Sequence, residues 1–314
     1  MPQRPPIMIW RYVDGKPGHD NQSLGLARAL AVRRPVILHT LAACRSEHYL
    51  RGWLRGHYDR GESLPAPDLI LGAGHATHLP MLTSRWRRGG RVVVLMRPSL
   101  PLRWFDLCIL PAHDRPRRPP ANLLITKGVL NTIRPTRPLS PQHGLILIGG
   151  PSPHFQWQEE VILQQLTTLL QRSPEIRWQL TTSRRTPPEF LPAVQQRLSG
   201  SALALIPHQQ TSREWLPQQL TQCGQVWVTI DSVSMIYEAL TAGGQVGLLT
   251  LPLLHRGNRV TSSLQQLIAE GCFLPPLSQP PPGPATAQHA TAAAPLDEAT
   301  RCAAWIDQQW LARD

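Results

Sequence analysis

Short apolar runs alternate with polar segments of helical spacing along most of the chain. In the first half the runs are IMIWRYV (7–13), PVILHT (35–40), DLILGAG (68–74), RVVVLM (91–96), FDLCILP (105–111) and NLLIT (122–126), with helical spacing over 21–32, 45–57 and 76–88. In the second half they are GLILIGG (144–150), RWQLTTS (177–183), ALALIP (202–207), QVWVTI (225–230) and QVGLLTL (245–251), with helices fitting 156–172, 188–198, 212–222, 232–242 and 259–270. Near-continuous Val, Ile and Leu mark strands buried on both faces, and the intervening helices supply the cover. The pattern predicts an α/β protein of two Rossmann-like, doubly wound parallel-sheet domains facing a cleft, with ligands held beyond the carboxyl ends of the strands.

The rhythm breaks at NTIRPTRPLSPQHG (131–144), which reads as a linker between the domains, and again at the Pro- and Ala-rich stretch 275–295, which reads as an extended tether. Expected boundaries are 1–135, 136–280 and a last segment, 281–314, made of the tether and a terminal amphipathic helix. Leu296, Ala299, Ala303, Ile306 and Trp310 form that helix's apolar stripe, and Asp297 and Glu298 suit its amino end. The stripe is expected to bury across the other domain.

Charge separates the halves further. The net charge is +12, yet residues 1–140 hold 22 Lys and Arg against 8 Asp and Glu, while 141–314 hold 10 against 12. A basic half beside a near-neutral one implies an acidic partner for the first alone. No nucleic-acid-binding motif is present, so nucleic acid is not expected. The arginine clusters RWRRGGR (85–91) and RPRRPP (115–120) suit anionic lipid. No apolar run reaches the ~20 residues of a membrane span, and the expected location is cytoplasmic, peripheral on the inner face of the membrane. The five cysteines are dispersed, which implies free thiols rather than disulfides or zinc.

The strongest chemical signal is VWVTIDSVSMIYEALTAGGQVG. Asp231 or Ser232 is placed to cap a helix whose Val233, Ile236, Tyr237 and Leu240 face a core, with Ser234 and Glu238 on another side. A positive helix end, free N–H groups and hydroxyls suit a phosphate there, and Glu238 suits a ribose diol. Gly149, Gly150 and Ser152 follow the first strand of this half, and Thr182, Ser183, Arg184 and Arg185 follow the second. Glycines allow close backbone approach to a ligand, and arginine forks match phosphate. Together these loops predict a nucleoside-diphosphate pocket.

In the first half, DGKPGHDNQ follows the opening strand. Its glycine and lysine order is not that of a P-loop. His19 is a candidate acid or base, and Asp20 is placed either to act as a base or to orient the imidazole. Asp14, Gly15, Lys16, Gly18, Asn21 and Gln22 complete an acceptor-side loop, to which Gly74, His75, Lys127 and Asn131 are added from later strand ends. A tight turn with helix caps is the alternative for the same residues. His75 and His78 have metal-compatible spacing without further ligands, and no D-x-D occurs, so neither a metal nor a cofactor is expected.

DGKPGHDNQSLGLARAL, PDLILGAGHAT, FDLCILPAHD, ITKGVLN, LIGGPSPHF, TTSRRTP and DSVSMIYEA, in this order and spacing, resemble the elongated-mitochondria family over residues 7–311. That family holds a plant mitochondrial-fission factor and many bacterial proteins similar to GT-B glycosyltransferases and nucleoside-diphosphate-sugar epimerases. DSVSMIYEALTAGGQVG is similar to the segment with which UDP-N-acetylglucosamine 2-epimerases hold their nucleotide. DGKPGH is similar to the His-bearing Gly-rich loop of the peptidoglycan N-acetylglucosaminyltransferase. The resemblance implies His19 near an acceptor, and Ser232, Ser234 and Glu238 near a nucleotide-sugar donor. The chain departs from the family at PHQQTSREWLPQQLTQCG (207–224), where a Gly- and Asn-rich loop is expected, and at Pro98 and Ser99, where an acid often stands. The expected function is a metal-independent GT-B-like glycosyltransferase that moves a sugar from a nucleotide sugar to a phosphorylated or lipid-linked cell-envelope acceptor. The alternatives are an epimerase with the same pocket and a non-catalytic interaction protein on the same fold.

Overall fold

A computed structural model describes residues 5–43, 63–254, 259–280 and 295–311. The helix expected over 45–57, and the stretch 281–294 of the expected tether, lie outside the described residues. The chain forms two compact units, residues 1–132 with 297–314, and residues 133–296.

In the first unit, β1 (Ile7–Val13), β2 (Val36–Ala42), β3 (Leu69–Ala73), β4 (Arg91–Leu95), β5 (Leu107–Pro111) and β6 (Leu123–Thr126) form one sheet in the order β2-β1-β3-β4-β5-β6. Every pairing is parallel, with Ile9 opposite Leu38 on one side and Leu69 on the other. The pleat divides the core. Ile7 and Ile9 pack with Leu26 and Leu30 of α1 (Pro17–Arg33), while Met8, Trp10 and Tyr12 pack with Met81 of α2 (His75–Arg88) and with Phe105. Burying a Leu or Ile fully contributes about 1.5–3 kcal/mol, so both sheet faces hold their helices firmly.

The second unit contains β7 (Ser140–Leu147), β8 (Arg177–Thr181), β9 (Leu203–Ile206), β10 (Cys223–Thr229) and β11 (Gln245–Leu249), ordered β11-β10-β7-β8-β9 and again wholly parallel. Its helices are α3 (Glu159–Arg172), α4 (Phe190–Arg197), α5 (Trp215–Leu220), α6 (Val233–Ala242) and α7 (Arg259–Ala269). Both sheets are open, and the α/β architecture of two doubly wound parallel sheets is the one the pattern predicts.

Two expectations are corrected and a third is met. The stretch 131–144 is less a linker than an entry into the second sheet, because β7 already begins at Ser140. The first helix starts at Pro17 rather than Asn21: Pro at the first position needs no N–H partner, so the supposed loop residues 17–20 are its opening turn. The terminal helix α8 (Glu298–Ile306) belongs to the first unit, so its stripe buries in the other domain from the one it follows, as expected. Its Ala299, Cys302, Ala303 and Ile306 complete the first unit's α1-side core. Asp297 caps α8 by accepting the Thr300 N–H at 3.0 Å, and the Asp307 carboxylate that follows accepts from Arg33 and Arg34 at the end of α1.

Candidate functional site

Each sheet has a point where its strand order reverses. In the first sheet the chain goes from β1 outward to β2, then to the other side at β3; in the second it goes from β7 to β8 and β9, then back to β10. Open α/β sheets bind ligands outside the carboxyl ends at such points. The residues singled out from the sequence fall largely there: Asp14 and His19 after β1, Gly74 and His75 after β3, Gly149 and Gly150 after β7, and Asp231 and Ser232 after β10.

In the second unit Asp231 ties the loops together. Its carboxylate, 1% exposed, accepts the Gly150 N–H at 3.0 Å and an Arg185 guanidinium N–H at 2.8 Å. The same guanidinium donates to the Gly150 and Pro151 carbonyls, both at 3.0 Å. Gly149 donates its N–H to Thr229 Oγ1 at 2.7 Å, and its carbonyl accepts the Ser183 hydroxyl at 2.9 Å and the Thr186 hydroxyl. A Cβ on Gly149 would lie 2.2 Å from Asp231 Oδ2. The close approach that Gly149 permits is therefore to the protein's own carboxylate, and that of Gly150 is to the Arg185 backbone carbonyl, while the partly exposed Arg185 guanidinium braces the loops.

Ser232 occupies the N-cap position of α6, yet its side chain makes no cap bond. Ser152 accepts the Phe155 N–H at 3.1 Å and stabilises its own turn, and the Thr182 hydroxyl accepts the His208 N–H at 3.1 Å. Exposed groups remain beside this frame: Arg184 and Ser234. Glu238, one turn into α6, is half-buried, and no group among the described residues hydrogen-bonds or pairs with its carboxyl. Desolvation pushes that carboxyl up to about 7.

In the first unit the His19 ring lies against Asp14, with Nδ1–H donating to Oδ2 at 2.8 Å. Asp14, not Asp20, orients the imidazole, and its other oxygen accepts the Lys16 N–H at 3.1 Å. Gly74, with φ +89°, brings the start of α2 onto this pair; a Cβ there would sit 2.3 Å from His19 Nδ1 and 2.6 Å from Asp14 Oδ2. The Asp20 carboxyl is raised, first by desolvation and then by the charge of Asp14, and its Oδ1 is buried without a hydrogen-bond partner among the described residues. Gly15 and Gly18 are exposed, as is Lys16 at the helix N-cap, and Gln22 is buried with its amide donating to the Gly18 carbonyl at 3.2 Å. Asn21 is half-buried in the same turn of α1.

His75 and His78 share a hydroxyl: Ser99 Oγ lies 2.5 Å from His75 Nδ1 and 3.3 Å from His78 Nδ1. His78 is buried against Phe105 and held down to about 4, chiefly by desolvation and then by His75 and His19. Lys127 is exposed after β6, at the far edge of the sheet. Asn131 is buried, and its carbonyl packs against Gly25 of α1, which makes it part of the helix's seat.

Sequence reasoning missed Ser99 as a partner of both histidines, since only the fold brings the β4 loop over α2. It also missed Arg11. This buried guanidinium donates to the Asp20 carbonyl at 3.1 Å, Ser23 Oγ at 3.4 Å and Thr40 Oγ1 at 3.2 Å, fixing the opening turn of α1. An arginine inside an otherwise apolar strand was the available signal. A cavity of about 530 Å³ opens among His143, Arg177, Trp178 and Cys223, at the amino ends of the second sheet's strands and away from the carboxyl-end loops.

The paired parallel sheets and their reversal-point loops place the chain among GT-B-like α/β proteins, the architecture shared by GT-B glycosyltransferases and UDP-N-acetylglucosamine 2-epimerases. Residues 17–310 match the Mitochondrial fission ELM1 family, and the chain belongs to that family. A Listeria monocytogenes protein assigned as a UDP-N-acetylglucosamine 2-epimerase is 13% identical, with a TM-score of 0.60 over 99% of this chain and 98% of that one. The Neisseria meningitidis UDP-GlcNAc 2-epimerase, solved with UDP-GlcNAc bound, is 11% identical, with a TM-score of 0.55 over 98% and 100%. A Rickettsia africae glycosyltransferase is 9% identical, with a TM-score of 0.50 over 99% and 100%. At such identities the likeness establishes the fold and not the activity.

Proposed function

We propose that the chain is a glycosyltransferase of GT-B type. It would move a sugar from a nucleoside-diphosphate sugar to a phosphorylated or lipid-linked cell-envelope acceptor, on the cytoplasmic side of the membrane. The observation that carries this reading is Glu238. A half-buried carboxyl with no partner among the described residues, beside a braced strand-end frame, has the shape of a receptor for hydroxyl donors, and a ribose diol supplies two. Ser234, Arg184 and the amino end of α6 then offer donors to the diphosphate. The Neisseria meningitidis neighbour holds UDP-GlcNAc, which makes a uridine nucleotide the first donor to try.

On the first unit, Asp14 fixes the His19 tautomer with Nδ1 protonated, so Nε2 is the basic atom. That nitrogen takes the proton of the acceptor hydroxyl as its oxygen bonds to the anomeric carbon and the nucleoside diphosphate departs with the electron pair. Asp20, with its raised carboxyl, is the second candidate base in the same turn. Within the second unit, Arg184, Ser234 and the amino end of α6 are the donors available to a diphosphate leaving group.

Epimerisation of the donor is the second reading, favoured by the two epimerase-type neighbours. Incubation with UDP-, GDP- and ADP-sugars, with and without a bacterial lipid extract, separates the two when the donor is followed by NMR. Acceptor-dependent release of nucleoside diphosphate supports transfer. An isomerised donor without acceptor supports epimerisation, and an unchanged donor in every arm contradicts both and leaves a binding protein.

A further inference from the structure

The first unit carries an exposed aromatic face that the chemistry above does not use. Trp86 is 74% exposed, Trp104 44% and Leu79 41%. Leu79 and Trp86 are seven residues apart on α2, so they lie almost on one line along the helix. Arg85 and Arg87 flank that line on either side. Arg85 also binds the strip to the neighbouring loop, donating to the Trp104 carbonyl at 3.2 Å and pairing with Asp106 at 3.1 Å. The exposed Arg103 precedes Trp104, and the half-buried Leu82, Leu100 and Leu102 sit on the core next to them.

Single exposed apolar side chains are ordinary, but two indoles and a leucine gathered among arginines are not. Indoles favour the polar–apolar boundary of a bilayer, and arginines favour anionic headgroups. The whole unit is basic, with 22 Lys and Arg against 12 Asp and Glu. A second copy of the chain fits less well, because a two-fold contact would set these arginines against their own equivalents. No helix among the described residues is long and apolar enough to cross a membrane, so attachment would be to the surface.

We infer that Leu79, Trp86 and Trp104, with Arg85, Arg87 and Arg103, form the face by which the protein docks on an anionic lipid bilayer, the indoles entering at headgroup depth. The inference gives a location to the membrane contact of the proposed function, but vesicle binding needs neither donor nor turnover, so either can fail alone.

The test is co-sedimentation of the full chain with vesicles of phosphatidylcholine, with and without phosphatidylglycerol, alongside indole emission. Binding is expected only to the phosphatidylglycerol vesicles, with emission shifted to the blue and binding weakened by added salt. The double variant Trp86→Ala/Trp104→Ala is expected to bind about tenfold more weakly, and Arg103→Glu to weaken binding without altering the melting profile. Equal binding to both vesicle types, no binding, or an unchanged double variant would overturn the inference. So would a concentration-dependent dimer, seen by light scattering, that the double variant abolishes while vesicles are ignored.

Discussion

Glu238 and His78 are ionisable groups whose protonation is set by burial, and they act in opposite directions. Glu238 has its carboxyl raised from 4.5 to about 7. The fold therefore prefers its protonated form, and the stability associated with that proton is present below pH 4.5 and lost as pH rises through about 7. Glu238→Gln stays neutral throughout. It should melt at the parent's temperature near the lower pH and above it at the higher one; parallel melting curves across this window would contradict the assignment. His78, lowered from 6.5 to about 4, prefers its neutral form. Stability is then lost as pH falls from 6.5 toward 4, and His78→Gln should flatten that acid-side slope in urea titrations. A third residue, Asp231, holds a backbone N–H and a guanidinium together. Asp231→Ala leaves the Gly150 N–H without its acceptor and should cost about 1–3 kcal/mol in denaturant unfolding; a change within measurement error would show that the loops hold without it.

Among elements, α1 depends on a single missing side chain. A Cβ on Gly25 would lie 2.0 Å from the Asn131 carbonyl oxygen, so Gly25→Ala has to displace the helix or the chain beneath it. Overpacking of this kind costs about 1–3 kcal/mol. Because α1 also carries His19, the variant should lower the melting temperature and perturb the His19 imidazole resonances together. Undisturbed resonances would mean that the helix can shift without moving its first turn. The strands were legible because Val, Ile and Leu cluster where both sheet faces are covered. The start of α1 was not, since Gly15, Pro17 and Gly18 carry the composition of a turn while Pro17 has the φ of a helix's first residue. Likewise, Gly149 and Gly150 announced a close approach, but only the three-dimensional placement of Asp231 and of the Arg185 backbone shows what approaches them.

At the scale of the molecule, both ends of the chain build the first unit. The amphipathic stripe of α8 was expected to bury in the other domain and does so; its partners were not legible, because the sequence distance between Cys302 and Leu26 hides a contact that the folded core makes plain. Removal of residues 297–314 uncovers Ala299's and Ile306's neighbours on α1 and β1 and releases Arg33 and Arg34 from Asp307. Calorimetry of the truncated chain should show the first unit's transition lowered or lost while the second's persists. A single transition at the parent's temperature would contradict this dependence.

The account rests on the second unit binding a nucleotide sugar through Glu238. Isothermal titration of the full chain with UDP-, GDP- and ADP-sugars, repeated with Glu238→Gln, tests it most directly. At least one donor should bind, and the variant should bind it about tenfold more weakly, since a carboxylate accepts hydroxyl hydrogens more strongly than an amide. No heat of binding from any donor, or equal affinity in the variant, would contradict the account.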